Sequence, residues 1–166
     1  DHESAKLIGK IKYYHETVMT KRYSIIEDAS EKGIRMNIIC KYGNPPVPVS
    51  EDGNFAGDGI VELPIASFGA TCVKKKKKLP ADYVPSRNNC TDPKNHNHTD
   101  PEGILDVCTG LLPEHTFYFS GQNHATTASN DVIMTLIIQL VTDDNFTSVH
   151  SYPDKFPQFN YSRETK

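Results

Sequence analysis

Val132-Ile133-Met134-Thr135-Leu136-Ile137-Ile138-Gln139-Leu140-Val141 is the longest uncharged apolar run in the chain, and its reading decides the fold class. Val, Ile and Thr dominate it, and β-branched residues favour the pleated surface of a sheet. Asn130-Asp131 before it and Asp143-Asp144 after it carry the side chains that close turns. Met134 and Leu136 would allow a helix, but composition and flanks favour a central strand, apolar on both faces. The run falls short of the roughly 18 residues that a membrane span needs, so no membrane insertion is expected.

Working outward, residues 34–41 alternate, with Ile34, Met36, Ile38 and Cys40 on one face and Arg35, Asn37 and Lys41 on the other. A period of two reads as a half-buried strand. Residues 6–14 alternate more weakly, with Leu7, Ile11 and Tyr13 opposite Lys10 and Lys12. Shorter strands are expected at 59–63, 66–73 and Thr116–Ser120. Gly43-Asn44-Pro45-Pro46, Glu51-Asp52-Gly53-Asn54 and Asp100-Pro101-Glu102-Gly103 would stop a helix between them. Several short strands at this spacing predict an all-β chain, a β-sandwich with long connecting loops. With 166 residues and 18.6 kDa, a single domain over 1–166 is expected. The stretch 79–103 reads as a Pro- and Asn-rich loop.

Compartment is read from cysteines and sequons. Cys40, Cys72, Cys90 and Cys108 are even in number, widely spaced and without a Cys-x-x-Cys pair. That pattern predicts two structural disulfides and leaves three connectivities open. Asn89, Asn97, Asn145 and Asn160 each begin an Asn-x-Ser/Thr sequon, which fits a glycosylated, secreted protein. Asp1-His2-Glu3-Ser4 has no signal-peptide character, so a targeting segment is expected to lie upstream or to have been removed.

Candidate chemistry is sparse. Lys74, Lys75, Lys76, Lys77 and Lys78 form an unbroken basic run in a chain of net charge -3. In a secreted protein such a run suits a cell-surface glycosaminoglycan, and nucleic acid is not expected; its bland reading is a solvated, charge-protected edge. The rest of the chain is acidic and favours basic partners. His96-Asn97-His98, near Asp92 and Asp100, has metal-like spacing but no third ligand, and Asn97 is a sequon position, so no metal is expected. Ser120-Gly121-Gln122-Asn123-His124 reads as a polar turn. No nucleophile elbow, zinc motif or phosphate loop occurs, so neither an enzyme nor a cofactor is expected. A secreted hydrolase with a dispersed site is the rival reading, and it predicts a deep polar pocket.

The polar face of residues 34–41 is then the most informative surface. Arg22-Tyr23-Ser24-Ile25-Ile26, a Glu/Asp/Gly loop, and Gly33-Ile34-Arg35-Met36-Asn37-Ile38 leading to Cys40 resemble a segment of the secreted poxviral chemokine-binding proteins. With its size, cysteines and sequons, the whole chain is similar to the SECRET domain at the C-terminus of poxviral soluble tumour necrosis factor receptors. The resemblance implies a viral decoy that binds host chemokines on one sheet face and occludes their receptor-binding surface. It also implies a fragment preceded by a cysteine-rich region. Carried over, it assigns chemokine contact to Arg35 and Tyr23, with Arg22 standing where the family has a second tyrosine. Asn37 points the same way as Arg35 in the expected strand. Glu27, Asp28 and Glu31, and Asp58 and Glu62 beyond, are the acids expected to meet a basic ligand.

Overall fold

The computed structural model describes residues 2–43, 56–74, 77–83, 99–152 and 154. Residue contacts divide the chain into two compact units, Asp1–Met36 and Asn37–Lys166.

The first unit is helical. Helix α1 (His2–Tyr13) passes through a π-helical segment, Tyr14–Met19, into α2 (Thr20–Glu31). The expected strand at 6–14 is therefore corrected: Leu7, Ile8, Ile11 and Tyr14 recur at helical spacing, which the weak alternation concealed. Arg22 Nη1 donates to Tyr14 Oη at 3.2 Å, with the guanidinium 5.7 Å from the ring centroid, and so bridges the π segment. Gly33, at φ 81°, ends α2: its N–H reaches Ser30 O at 2.9 Å, and the Ile34 N–H reaches Ala29 O at 3.0 Å. This pair of bonds is a Schellman cap, and it needs the left-handed conformation that glycine takes without strain. The acidic stretch read as a loop is the last turn of a helix plus its cap.

The second unit is built around a parallel pair, β1 (Ile38–Tyr42) and β4 (Thr116–Ser120), with Cys40 opposite Tyr118. Side chains alternate between two cores. Ile38, Cys40, Tyr42 and Tyr118 join Leu63, Leu105 and Val107 in one, while Ile39, Phe117 and Phe119 join Ile133, Leu136 and Phe146 in the other. A parallel ribbon covered on both faces explains why Lys41, expected toward solvent, is buried. The crossover between the strands carries α3 (Leu63–Ala66) and an antiparallel pair, β2 (Thr71–Cys72) with β3 (Leu105–Asp106). Of the expected shorter strands, Thr116–Ser120 forms, 66–73 contributes only Thr71–Cys72, and 59–63 gives way to a bridge between Gly57 and Glu62 before α3.

The run that decided the expected fold class is helix α4 (Asp131–Thr142). Ile133, Leu136 and Leu140 are buried and Ile137 packs beside them, a helical stripe, while Val141 is 79% exposed. Asn130, read as a turn residue, is the N-cap: its Oδ1 accepts from Val132 N and Ile133 N, both at 3.0 Å. The all-β expectation and the β-sandwich with long connecting loops are therefore wrong. Among the described residues there are two two-stranded sheets, and helices make up most of the regular structure.

Cysteine chemistry differs as well. Cys40 and Cys72 are free, buried thiols, where disulfides were expected, and Cys108 is disulfide-bonded. Cys90 lies outside the described residues. Burial, with the charges of Glu62 and Asp100 adding to it, pushes the Cys72 thiol up to about 12. Burial and the charge of Asp58 raise Cys40 too, so both stay protonated at neutral pH.

Candidate functional site

The residues expected to contact a chemokine fall into both units. In the first, Arg22 is exposed and Tyr23 half-buried on α2, and Arg35 is exposed in the irregular stretch after the helix cap. Glu27, Asp28 and Glu31 are all exposed on the last turns of α2. Arg22 and Tyr23 stand near the start of α2, Glu27, Asp28 and Glu31 in its later turns and Arg35 past its cap, so none of the six lies on a sheet face.

In the second unit, Asn37 precedes β1, and its Oδ1 is buried with no hydrogen-bond partner among the described residues. Glu62 is half-buried and stands at the N-cap position of α3 without capping it through its side chain. Asp58 is not the exposed acid that was expected: it is 7% exposed and its carboxylate is fully engaged.

Asp58 anchors an organised polar cluster in the second unit. Its Oδ1 accepts from Ile60 N at 3.1 Å and Val61 N at 2.9 Å, which folds the 58–61 turn around the carboxylate. Gly57 permits this turn, because a Cβ there would lie 2.3 Å from Val61 O. The other oxygen, Oδ2, meets His124 Nδ1 at 2.8 Å, and the His124 N–H donates to Asp58 O at 2.7 Å. Burial pushes the Asp58 carboxyl up. The hydrogen bonds from Val61, the His124 ring and Ile60, with the charge of His124, outweigh it and hold the carboxyl below its ordinary value.

Lys41 fixes the other side of the same turn. Its Nζ donates to Asn123 O at 2.8 Å, His124 O at 2.6 Å and Thr127 Oγ1 at 2.7 Å, so all three ammonium protons are used. Asn123 Oδ1 in turn accepts from Ala125 N and starts the single turn His124–Thr126. The result is an imidazole held at Nδ1 by a buried carboxylate and backed by a buried ammonium, with half of its side chain open to solvent. A ring so fixed can offer Nε2 to a partner's hydrogen-bonding group. Among the described residues no hydroxyl or thiol is hydrogen-bonded to the ring. Of the stretch 120–124 read as a polar turn, Ser120 ends β4 and His124 opens a 3-10 turn, and the role of His124 was missed. Asp58 and His124 are far apart in sequence, and no local spacing signals their meeting.

Lys74, Lys77 and Lys78 are exposed, and the Lys77 N–H donates to Lys74 O at 3.1 Å. Lys75 and Lys76 lie outside the described residues, as do Asn89, Asn97 and Asn160, the histidines His96 and His98, and most of the loop expected at 79–103. Asn145 is exposed on the turn after α4, with Phe146 buried and Thr147 exposed behind it. Among the described residues no group of three His, Cys, Asp or Glu could hold a metal ion, and no helix is long and apolar enough to cross a membrane.

No protein-family model, curated protein or solved structure matches this chain.

Proposed function

We propose that the chain is a secreted viral decoy domain that captures basic host chemokines, with the end of α2 and its cap as the contact region. The observation that carries this reading is the placement of Glu27, Asp28 and Glu31, all exposed on the last turns of one helix, followed four residues past the helix end by exposed Arg35. This is the stretch that carries the resemblance to poxviral chemokine-binding proteins, and a dense acidic turn is what a basic protein ligand needs for fast association. Tyr23 and Arg35 supply side chains of the kind that dominate interface affinity. The exposed Asn145 sequon is in keeping with a secreted glycoprotein. Capture by occlusion needs no cofactor and no turnover.

The test is surface plasmon resonance of the chain against CC, CXC and CX3C chemokines at about 150 mM salt, where long-range attraction is screened. The expected result is binding to a restricted subset, lost in Arg35→Glu and slowed in association when Glu27, Asp28 and Glu31 are all changed to Gln. Absence of binding across the panel overturns the reading.

A second reading is favoured by the exposed lysines Lys74, Lys77 and Lys78, with the Lys77 N–H bonded to Lys74 O, which suit glycosaminoglycan sulfates. It predicts heparin retention that disappears when the run is replaced by alanine. The two readings use different residues, so one protein can carry both.

A further inference from the structure

The lysine run is anchored on both flanks to one turn. Before it, the Val73 N–H donates to Ile104 O at 3.0 Å, and after it the Leu79 N–H donates to Gly103 O at 2.7 Å. Residues 73 and 79 are thus fixed to consecutive carbonyls, although an extended chain of that length would part them by about 20 Å. Lys74 and Lys77 are tied to each other by the Lys77 N–H on Lys74 O at 3.1 Å. Lys78 packs lengthwise on the turn: a Cβ built at Gly103 would lie 3.6 Å from its Cδ, 3.7 Å from its Cβ and 3.8 Å from its Cγ. Its stem is therefore held while the residue stays exposed. Gly103, at φ 71°, takes the left-handed conformation that this turn needs. Like charges gathered in this way repel one another, and a polyanion relieves that repulsion.

The two acids of the same turn are committed elsewhere. Asp100 is 3% exposed; its Oδ1 accepts from Ile104 N at 2.7 Å and Leu105 N at 2.8 Å, and its Oδ2 from Tyr42 Oη at 3.0 Å. These bonds build the turn. Glu102 is exposed and adjoins Gly103, on which the Lys78 stem lies. Its carboxylate is held by Ser120 at the end of β4, whose Oγ donates to Glu102 Oε1 at 2.6 Å. A charge-assisted bond of this length fixes the side chain. Without it, Glu102 can turn to Lys78 and cancel a charge that an anion would use.

We propose that Ser120 is a positioning residue for a polysulfate site formed by Lys74, Lys77 and Lys78 on the 100–104 turn: its hydroxyl holds Glu102 aside, so that the carboxylate does not compete with the sulfates of a bound polysaccharide. This role rests on the glycosaminoglycan reading, and it adds to that reading a residue that carries no charge and touches no ligand.

Isothermal titration of the full chain with a short heparin oligosaccharide at about 150 mM salt tests this. Ser120→Ala leaves the net charge unchanged, yet it is expected to weaken binding about threefold, the scale of one exposed ion pair. Glu102→Gln is expected to bind at least as tightly as wild type. Ser120→Ala/Glu102→Gln is expected to return to the affinity of Glu102→Gln alone, because the competing carboxylate is gone. A merely structural role for Ser120 would leave the double variant as weak as Ser120→Ala. That result overturns the proposal, as does a Ser120→Ala variant that binds like wild type, and both leave the glycosaminoglycan reading intact. A wild type that does not bind, or binding untouched by Lys74→Ala/Lys77→Ala/Lys78→Ala, overturns the two together.

Discussion

Replacing Asp58 by alanine removes the carboxylate that organises the 58–61 turn and the contact with His124. Three donors lose their acceptor: Ile60 N, Val61 N and His124 Nδ1. Hydrogen bonds to charged groups contribute about 1.5–3 kcal/mol each, but the three share one carboxylate and do not add. Breaking a buried charged contact costs about 3–5 kcal/mol, and the half-exposed ring on one side puts this case near the lower limit. The expected loss for Asp58→Ala is therefore about 3 kcal/mol, on the order of 10 °C in Tm for a unit of this size. Asp58→Asn keeps an acceptor for the two backbone N–H groups and loses only the charge, so about 1–2 kcal/mol is expected. His124→Ala, which removes the solvent-facing partner, should cost under about 1 kcal/mol. Urea unfolding at neutral pH ranks the three. The carboxyl is depressed in the folded state, so its contribution is complete above the ordinary carboxylate value of about 4 and is lost as pH falls through the lower folded value. The gap between wild type and Asp58→Asn should stay constant from neutral pH down to about 5 and narrow below that. The reasoning is refuted if His124→Ala destabilises as much as Asp58→Ala, or if the gap widens in acid.

Two further outcomes are expected. Leu136→Ala, at a fully buried position of α4, should cost about 2–5 kcal/mol in urea unfolding, whereas Val141→Ala, 79% exposed, should stay within about 0.5 kcal/mol. If α4 were the central strand its composition suggests, apolar on both faces, both changes would be costly. Lys41→Met keeps the aliphatic stem and leaves Asn123 O, His124 O and Thr127 Oγ1 without their donor; a loss of about 2–3 kcal/mol is expected by the same measurement.

How far the sequence discloses this fold depends on whether a segment has one period or two. Thr116–Ser120 is legible because aromatic and β-branched residues in a short run admit one reading. Residues 132–141 are apolar nearly throughout, so periods of 2 and 3.6 fit equally, and β-branching tips the choice the wrong way. The deciding signal was Asn130-Asp131, which serves a turn and a helix N-cap alike. The same ambiguity hid the first unit. Gly33 after Glu27–Glu31 reads as loop glycine or as the left-handed residue past a helix, and only its bonds to Ser30 and Ala29 tell the two apart. Lys41 was legible as a strand residue but not as a buried one. Its burial follows from a parallel pairing with β4, which no local pattern encodes.

The candidate sites were legible in residue type and much less in geometry. Acidic residues near Arg35 were visible in sequence; that Glu27, Asp28 and Glu31 share the end of a helix was not, and it changes what they can do. On a strand, acids alternate between faces and act singly. On adjacent helical turns they present a concentrated field beside a cap whose backbone is fixed by two hydrogen bonds. A concentrated field of one sign is selective for sign and indifferent to identity. For a ligand held there, Arg35 and Tyr23 would supply the discrimination that the field itself lacks.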